Sequence, residues 1–428
     1  MLALLLALQG VVSPPTDSLP QVTLTEALQR AAQLDPNYVA ALGQVDNAVW
    51  ARRSAFSVFV LPSISLSTTA TRNTPKFFNF GTLQPEKYAV QSAISASYDL
   101  FTGGQKFAEL SRSGAALAGA HAGELQQRFT TALLTEFDYY NVLATDELDR
   151  VARDRLRRAR EQLAVARARV TSGAAVSTDS LTLRLEMTRA QVAQLQQTSA
   201  LRVARLELGR RIGAAGPVDA APLDTAPAPE LPITLADAIT QAAVQGPSYR
   251  IAVSNERAAS AVYRWYLGSY LPRATLTWAG IGFDNRFLPT GAKFSQLSLG
   301  ISFPLWDNGR RETLVSQARV NREVARAVRD DMIRAVQHDV TAAYDAYVTS
   351  RATVDLAVEG VDIARESFRV QRARYSSGAT TILDLLEAEV NLSQAEADLV
   401  QARYGWRLAL TGLESILGKR LFTDKEAP

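Results

Sequence analysis

Side chains able to do covalent chemistry are scarce in this chain. Its 428 residues include no cysteine and two histidines, His121 and His338, which stand far apart in no recognisable setting. Cysteine nucleophiles, thiolate metal sites and disulfides are therefore excluded, and neither a histidine metal cluster nor a Ser-His-Asp triad is in view. The sequence has no GxxxxGK[ST] loop to cradle nucleotide phosphates. We assign no catalytic residue, metal or cofactor, and expect a protein that is not an enzyme. What remains is charge, hydroxyls and turn geometry, gathered in two segments: RVTSGAAVSTDSL at 169–181 and RYSSGATTILDLLE at 374–387. Asp384 and Glu387 lie three apart, so both carboxylates share one helix face. The helix dipole favours carboxylates in the first turn of any helix, which is the plainer explanation for them. Thr178, Asp179, Thr380 and Thr381 likewise read as N-caps. Gly173 and Gly378 stand where a helix must stop.

The charge balance narrows the partners. With 46 Lys+Arg against 43 Asp+Glu the formal net charge is only +3, too even for a dedicated nucleic-acid binder. The Arg-rich run 149–169 holds eight arginines but also Asp149, Asp154 and Glu161, the pattern of a solvated helical face. Residues 2–8, LALLLAL, precede small residues and Pro14-Pro15, and we read about residues 1–20 as a secretory signal peptide lacking its basic start. A buried N-terminal helix is the alternative. No segment reaches the roughly 20 apolar residues that a membrane-spanning helix needs. With no cysteine after the signal, an N-terminal lipid anchor is also unavailable.

The elements that position the two segments occur twice in order. LTEALQRAAQLDPNY at 24–38 is answered by LADAITQAAVQGPSY at 235–249, and VLPSISLS at 60–67 by YLPRATLT at 270–277. DLFTGG at 99–104 is answered by PLWDNG at 304–309, and the Gly173 segment by the Gly378 segment. Such self-similarity marks a tandem repeat. The spacing divides the chain into a first repeat at 21–213, a Pro/Ala-rich linker at 214–232, a second repeat at 233–418 and a tail at 419–428. Five prolines in the linker forbid helix.

Within each repeat the period changes. Residues 25–55 and 235–267 favour helix, interrupted by Pro36 and Pro247. Residues 62–71, 88–100 and 296–305 alternate apolar with small or polar side chains, the period of a strand with one apolar face. Residues 73–87, with Phe77, Phe78 and Phe80, are expected to form the loop between the first two strands. Two runs without proline follow, 104–172 and 308–377, each about 100 Å long if continuously helical. Each breaks at its Ser-Gly and returns as a second helix. Four strands and about six helices result. Trp278, Trp306, Tyr98 and Phe101, near strand ends, would form an interfacial belt or pack the strand-to-helix junction.

Strands of about ten residues with a Ser/Thr/Gly face suit a membrane β-barrel, although a soluble sandwich would show the same alternation. Four strands cannot close such a barrel, and open edges are not tolerated in lipid. Three copies would supply twelve. At this point the chain resembles the TolC-like outer-membrane efflux proteins. The resemblance covers residues 23–419 and rests on LTEAL/LADAI, the LP strand starts, DLFTGG/PLWDNGRR, and the two Gly-centred tips with DSL or DLL after them. It implies an α+β membrane protein in which four strands per chain build a trimeric 12-stranded β-barrel, continuous with a long α-helical barrel of coiled-coil hairpins. It also implies an outer-membrane site reaching into the periplasm, a periplasmic adaptor protein and an inner-membrane transporter as partners. The function implied is a passive exit duct for efflux or type I secretion. A non-conducting periplasmic coiled-coil spacer is the competing reading.

The resemblance also implies site roles. Asp384 and Glu387, repeated by three-fold symmetry, would form two stacked acidic rings selecting cations; the family has an Asp at the position of Glu387. Thr178, Asp179 and Tyr375 match gate positions. Arg169, Val170, Gly173, Arg374 and Gly378 match the adaptor-docking tips. The family pattern also has an Arg where this chain has Thr380, which removes one partner of an Arg–Asp lock.

Overall fold

The computed structural model describes residues 19–79, 83–223, 228–284 and 293–422. The signal-peptide expectation therefore falls almost wholly outside the described residues. Both halves run through the same elements. In the first, helix α1 (Leu24–Leu34) starts at Thr23, whose hydroxyl accepts the Glu26 N–H at 3.3 Å. It stops before Pro36, which opens α2 (Pro36–Val60). The Asp35 carboxylate accepts the Asn37 and Tyr38 N–H groups at 2.9 Å, so one residue ends α1 and caps α2. In the second half α5 (Leu235–Gln245) yields to α6 (Pro247–Leu267) across Gly246, which has no side chain to cap the new helix. Proline at a first helical position loses no hydrogen bond, which is why it starts a new helix at both places.

The described residues form two compact units, and each draws on both halves of the sequence. One comprises residues 40–125 and 241–337 and carries the main sheet. Strands β2 (Ser63–Asn79), β3 (Gln84–Phe101), β5 (Arg273–Asp284) and β6 (Lys293–Ser302) pair antiparallel in the order β2-β3-β5-β6. The register sets Leu66 opposite Ile94, Tyr98 opposite Leu276, and Trp278 opposite Leu297. One face is therefore apolar and largely exposed: Ile64 is 71%, Leu66 76%, Leu297 68% and Ile301 71% accessible in the single chain. The other face carries hydroxyls, among them Ser65 paired with Ser95 at 2.8 Å and Ser97 with Thr277 at 3.3 Å. β2 and β6 are edges.

The expected loop at 73–87 is largely strand. β2 continues through Phe77 and Phe78 to Asn79, and β3 begins at Gln84; Phe80 lies outside the described residues. Pairing slips between Arg72 and Phe77, around Pro75. Proline cannot donate to a ladder but is tolerated on an edge strand, so the broken alternation hid a strand that resumes beyond it.

The other unit comprises described residues 19–39, 126–240 and 338–422. It holds most of the two helical hairpins, α3 (Gln105–Thr171) with α4 (Ser177–Arg211), and α7 (Arg310–Ser377) with α8 (Ile382–Leu417). Its largest apolar cluster includes Tyr139, Tyr140, Val142, Leu201, Leu208, Ile212 and Val218. Residues 214–232 do more than tether the halves. Strand β4 (Asp219–Ala220) pairs in parallel with β1 (Gln21–Val22). The Tyr139 and Tyr347 hydroxyls donate to the carbonyls of Ala221 and Pro229 at 2.7 and 2.6 Å. No described helix is long and apolar enough to cross a membrane.

Candidate functional site

The two hairpin tips end alike. After α3 the Ala174 N–H reaches the Arg169 carbonyl at 2.8 Å and the Gly173 N–H the Val170 carbonyl at 3.1 Å. After α7, Ala379 and Gly378 repeat these bonds to Arg374 and Tyr375 at the same distances. This Schellman pattern needs a left-handed residue, and the φ angles are +77° at Gly173 and +82° at Gly378. Both glycines therefore terminate helices.

Arg169 joins the two tips. Its guanidinium donates to the Tyr375 carbonyl at the end of α7 and, at 3.3 Å, to the Ala174 carbonyl of its own turn. It also lies 4.9 Å from the centre of the Tyr375 ring. A cation over two helix C-termini opposes the partial negative charge of both dipoles. Arg374, the matching residue of the second tip, contacts the Ala379 carbonyl of its own turn at 3.5 Å. Val170 is half-buried beside Arg169.

Tyr375 is buried, packed with Phe368, Leu385, Ala388 and Leu392. Its hydroxyl is shielded and makes no hydrogen bond of ordinary geometry. Burial first, and then the nearby Asp179 carboxylate, push the phenol above its usual pKa. Asp179 thus lies close to Tyr375 as an electrostatic neighbour and falls short of a hydrogen bond. The Thr178 carbonyl accepts the Thr182 hydroxyl at 3.0 Å.

Asp384 completes a capping box with Thr381. Its carboxylate accepts the Thr380 and Thr381 hydroxyls at 2.7 Å and the Thr381 N–H at 3.1 Å. These bonds, led by Thr380, hold its carboxyl below the ordinary 3.8. Glu387, one turn on, is exposed. Thr380 therefore supports Asp384 where the family pattern has an Arg.

Sequence reading missed the joint between α3 and α8. Arg158 donates to Glu389 at 2.8 Å and to Glu396 at 3.2 Å, and Gln162 adds a bond to Glu389 at 3.1 Å. Glu389 is 1% exposed and Arg158 14%. The signal was present: Glu389 interrupts the apolar series Leu385, Ala388, Leu392, where an unpaired carboxylate would be costly. Its partner, however, lies in the other repeat, among several arginines on a face that reads as solvated.

With this geometry in view, comparison with known proteins is decisive. The family model described as "Outer membrane efflux protein" matches residues 27–214 and 277–419. The chain belongs to that family. It is a TolC-like outer-membrane protein, as the residues at the strand starts and tips suggested. Outer membrane protein TolC of Escherichia coli K12 is 28% identical over 152 residues, 35% of this chain and 30% of that protein. The match thus spans under a third of that relative's length. Pyoverdine export outer membrane protein OpmQ of Pseudomonas putida is 26% identical over 351 residues, 76% of this chain and 69% of that protein. The Campylobacter jejuni CmeC outer membrane channel superposes with a TM-score of 0.80 at 16% identity, covering 94% of this chain and 87% of that one. At that identity the superposition speaks to fold alone.

Proposed function

We propose that three copies of this chain form an outer-membrane exit duct for efflux or secretion, a passive conduit energised by a partner pump. The observation that carries this is the sheet: one apolar face, one hydroxyl face and two open edges. An apolar face that exposed is stable against lipid tails, and open edges are not, so the edges must be closed by other copies. Four strands from each of three copies give twelve, an even number of workable diameter. The hydroxyl face then lines water. A periplasmic spacer without a pore would not need the apolar face.

In this reading the helical tips form the inner mouth. Asp384 and Glu387 make two acidic rings, and Thr178, Asp179 and Tyr375 contribute to the gate. Val170, Gly173 and Gly378, with Arg169 and Arg374, form the surface offered to a periplasmic adaptor that links the duct to an inner-membrane transporter. The mechanism asks for no cofactor and no bond-breaking step; selectivity comes from charge at a constriction. OpmQ is named for pyoverdine export and AprF of Pseudomonas aeruginosa for alkaline protease secretion. The relatives are thus named for different cargoes.

The test is conductance. Purified protein inserted in planar lipid bilayers should give discrete, cation-preferring current steps. A protein that inserts without conducting would overturn the duct, and one that does not insert at all would favour the spacer.

A further inference from the structure

The helical unit holds a cavity where α1, the start of α2, α3 and the segment after α8 meet. Its volume is about 280 Å³, close to the lower limit for small-molecule sites. One wall is apolar or aromatic, with Leu28 of α1, Tyr38 of α2 and Phe129 of α3; the other is polar, with Arg128, Thr131 and Arg420. The two arginines differ. Arg420 is committed to the protein: its guanidinium bridges Glu414 and Glu136, each at 2.7 Å, and both carboxylates are buried. Arg128 is exposed and makes no ion pair among the described residues; its guanidinium carbon lies 5.7 Å from the centre of the Phe129 ring.

Thr131 stands three residues after Arg128, so the two share a face of α3. It is 3% exposed. Thr130, Thr135 and Thr145 of the same helix each turn the hydroxyl back to the carbonyl four residues earlier, at 2.9, 2.7 and 2.6 Å. Thr131 does not. Its oxygen accepts the Gln127 side-chain amide at 3.4 Å, and its proton goes to no group among the described residues. A buried donor left unused costs free energy unless an acceptor reaches it.

We infer that this cavity binds a small organic carboxylate. The carboxylate accepts from the Arg128 guanidinium, whose planar fork matches it, and from the Thr131 hydroxyl. The apolar body lies against Phe129, Tyr38 and Leu28. A cationic ligand would be repelled by Arg128, and a purely apolar one would leave Thr131 unpaired. An inorganic anion would leave the aromatic wall unused. The site is built from one chain, so binding is read whatever the number of copies, and the inference stands apart from the duct.

The test is equilibrium dialysis of the detergent-extracted particle against radiolabelled benzoate at neutral pH, with benzamide as the neutral probe of the same shape. Benzoate should bind at about one per chain, and benzamide at least about tenfold more weakly. Arg128→Gln should weaken benzoate at least about tenfold and Thr131→Val about fivefold. Ala32→Phe, which fills the cavity, should abolish binding. Arg160→Gln, an exposed arginine elsewhere on α3, should change nothing. Arg128 holds no ion pair that its loss would break, so its variant keeps the fold, and unaltered circular dichroism checks this. No benzoate binding by the native particle, equal binding of benzamide, or equal weakening by Arg160→Gln overturns the site. Competition by inorganic phosphate as strong as by unlabelled benzoate overturns the organic carboxylate.

Discussion

Asp384 has a local task that is separable from any role in transport. Its carboxylate caps α8 through two hydroxyls and one N–H. Because these bonds hold its pKa below 3.8, the cap is complete above that pH and is lost as pH falls through the lower folded value. Hydrogen exchange of the first α8 amides should therefore accelerate only in strong acid, whereas Asp384→Asn should give a profile without that transition. The transport role is tested separately. Asp384→Ala with Glu387→Ala should weaken cation preference and block by multivalent cations in planar bilayers; unchanged selectivity would remove the acidic rings. At Gly173 the question is purely conformational, since an added Cβ meets nothing within 4 Å. The left-handed φ alone should make Gly173→Ala cost about 1 kcal/mol, read from the denaturation midpoint.

Among the elements, the α3/α8 joint is one place where stability is exposed to a single change. Arg158→Met leaves Glu389 buried with Gln162 as its remaining partner, and should cost about 3 kcal/mol or more in guanidinium unfolding. Replacing Glu389 by Met as well should recover part of that loss, because the fully buried charge is then gone and only the partly exposed Glu396 lacks its arginine. A double variant no more stable than the single one would contradict this account of the joint. The same joint marks what the sequence made legible. Pro36 and Pro247, the period-two runs and the Ser-Gly breaks each act locally, so helices, strands and tips could be read from neighbouring residues. The α3/α8 pairing could not, since Arg158 and Glu389 are far apart in the chain and sit in different repeats. The continuation of β2 past Pro75 was hidden for a related reason: the strand's identity there depends on its place at a sheet edge, which alternation does not encode. Of the tip residues, Arg169 was found by its motif, but its reach to the Tyr375 carbonyl is a tertiary fact.

For the whole molecule, one chain presents more open surface than a finished fold allows. The sheet ends in two edges, its apolar face is bare, and α7 and α4 each show a row of exposed aliphatic side chains. In the proposed trimer each of these is covered by the other copies, and the strand count gives their number. The direct measurement is the detergent-corrected mass of the particle extracted from isolated outer membranes. Three chains per particle, resistant to mild dissociation, is the result this account predicts. A particle of one chain, or a protein absent from that membrane, would contradict it.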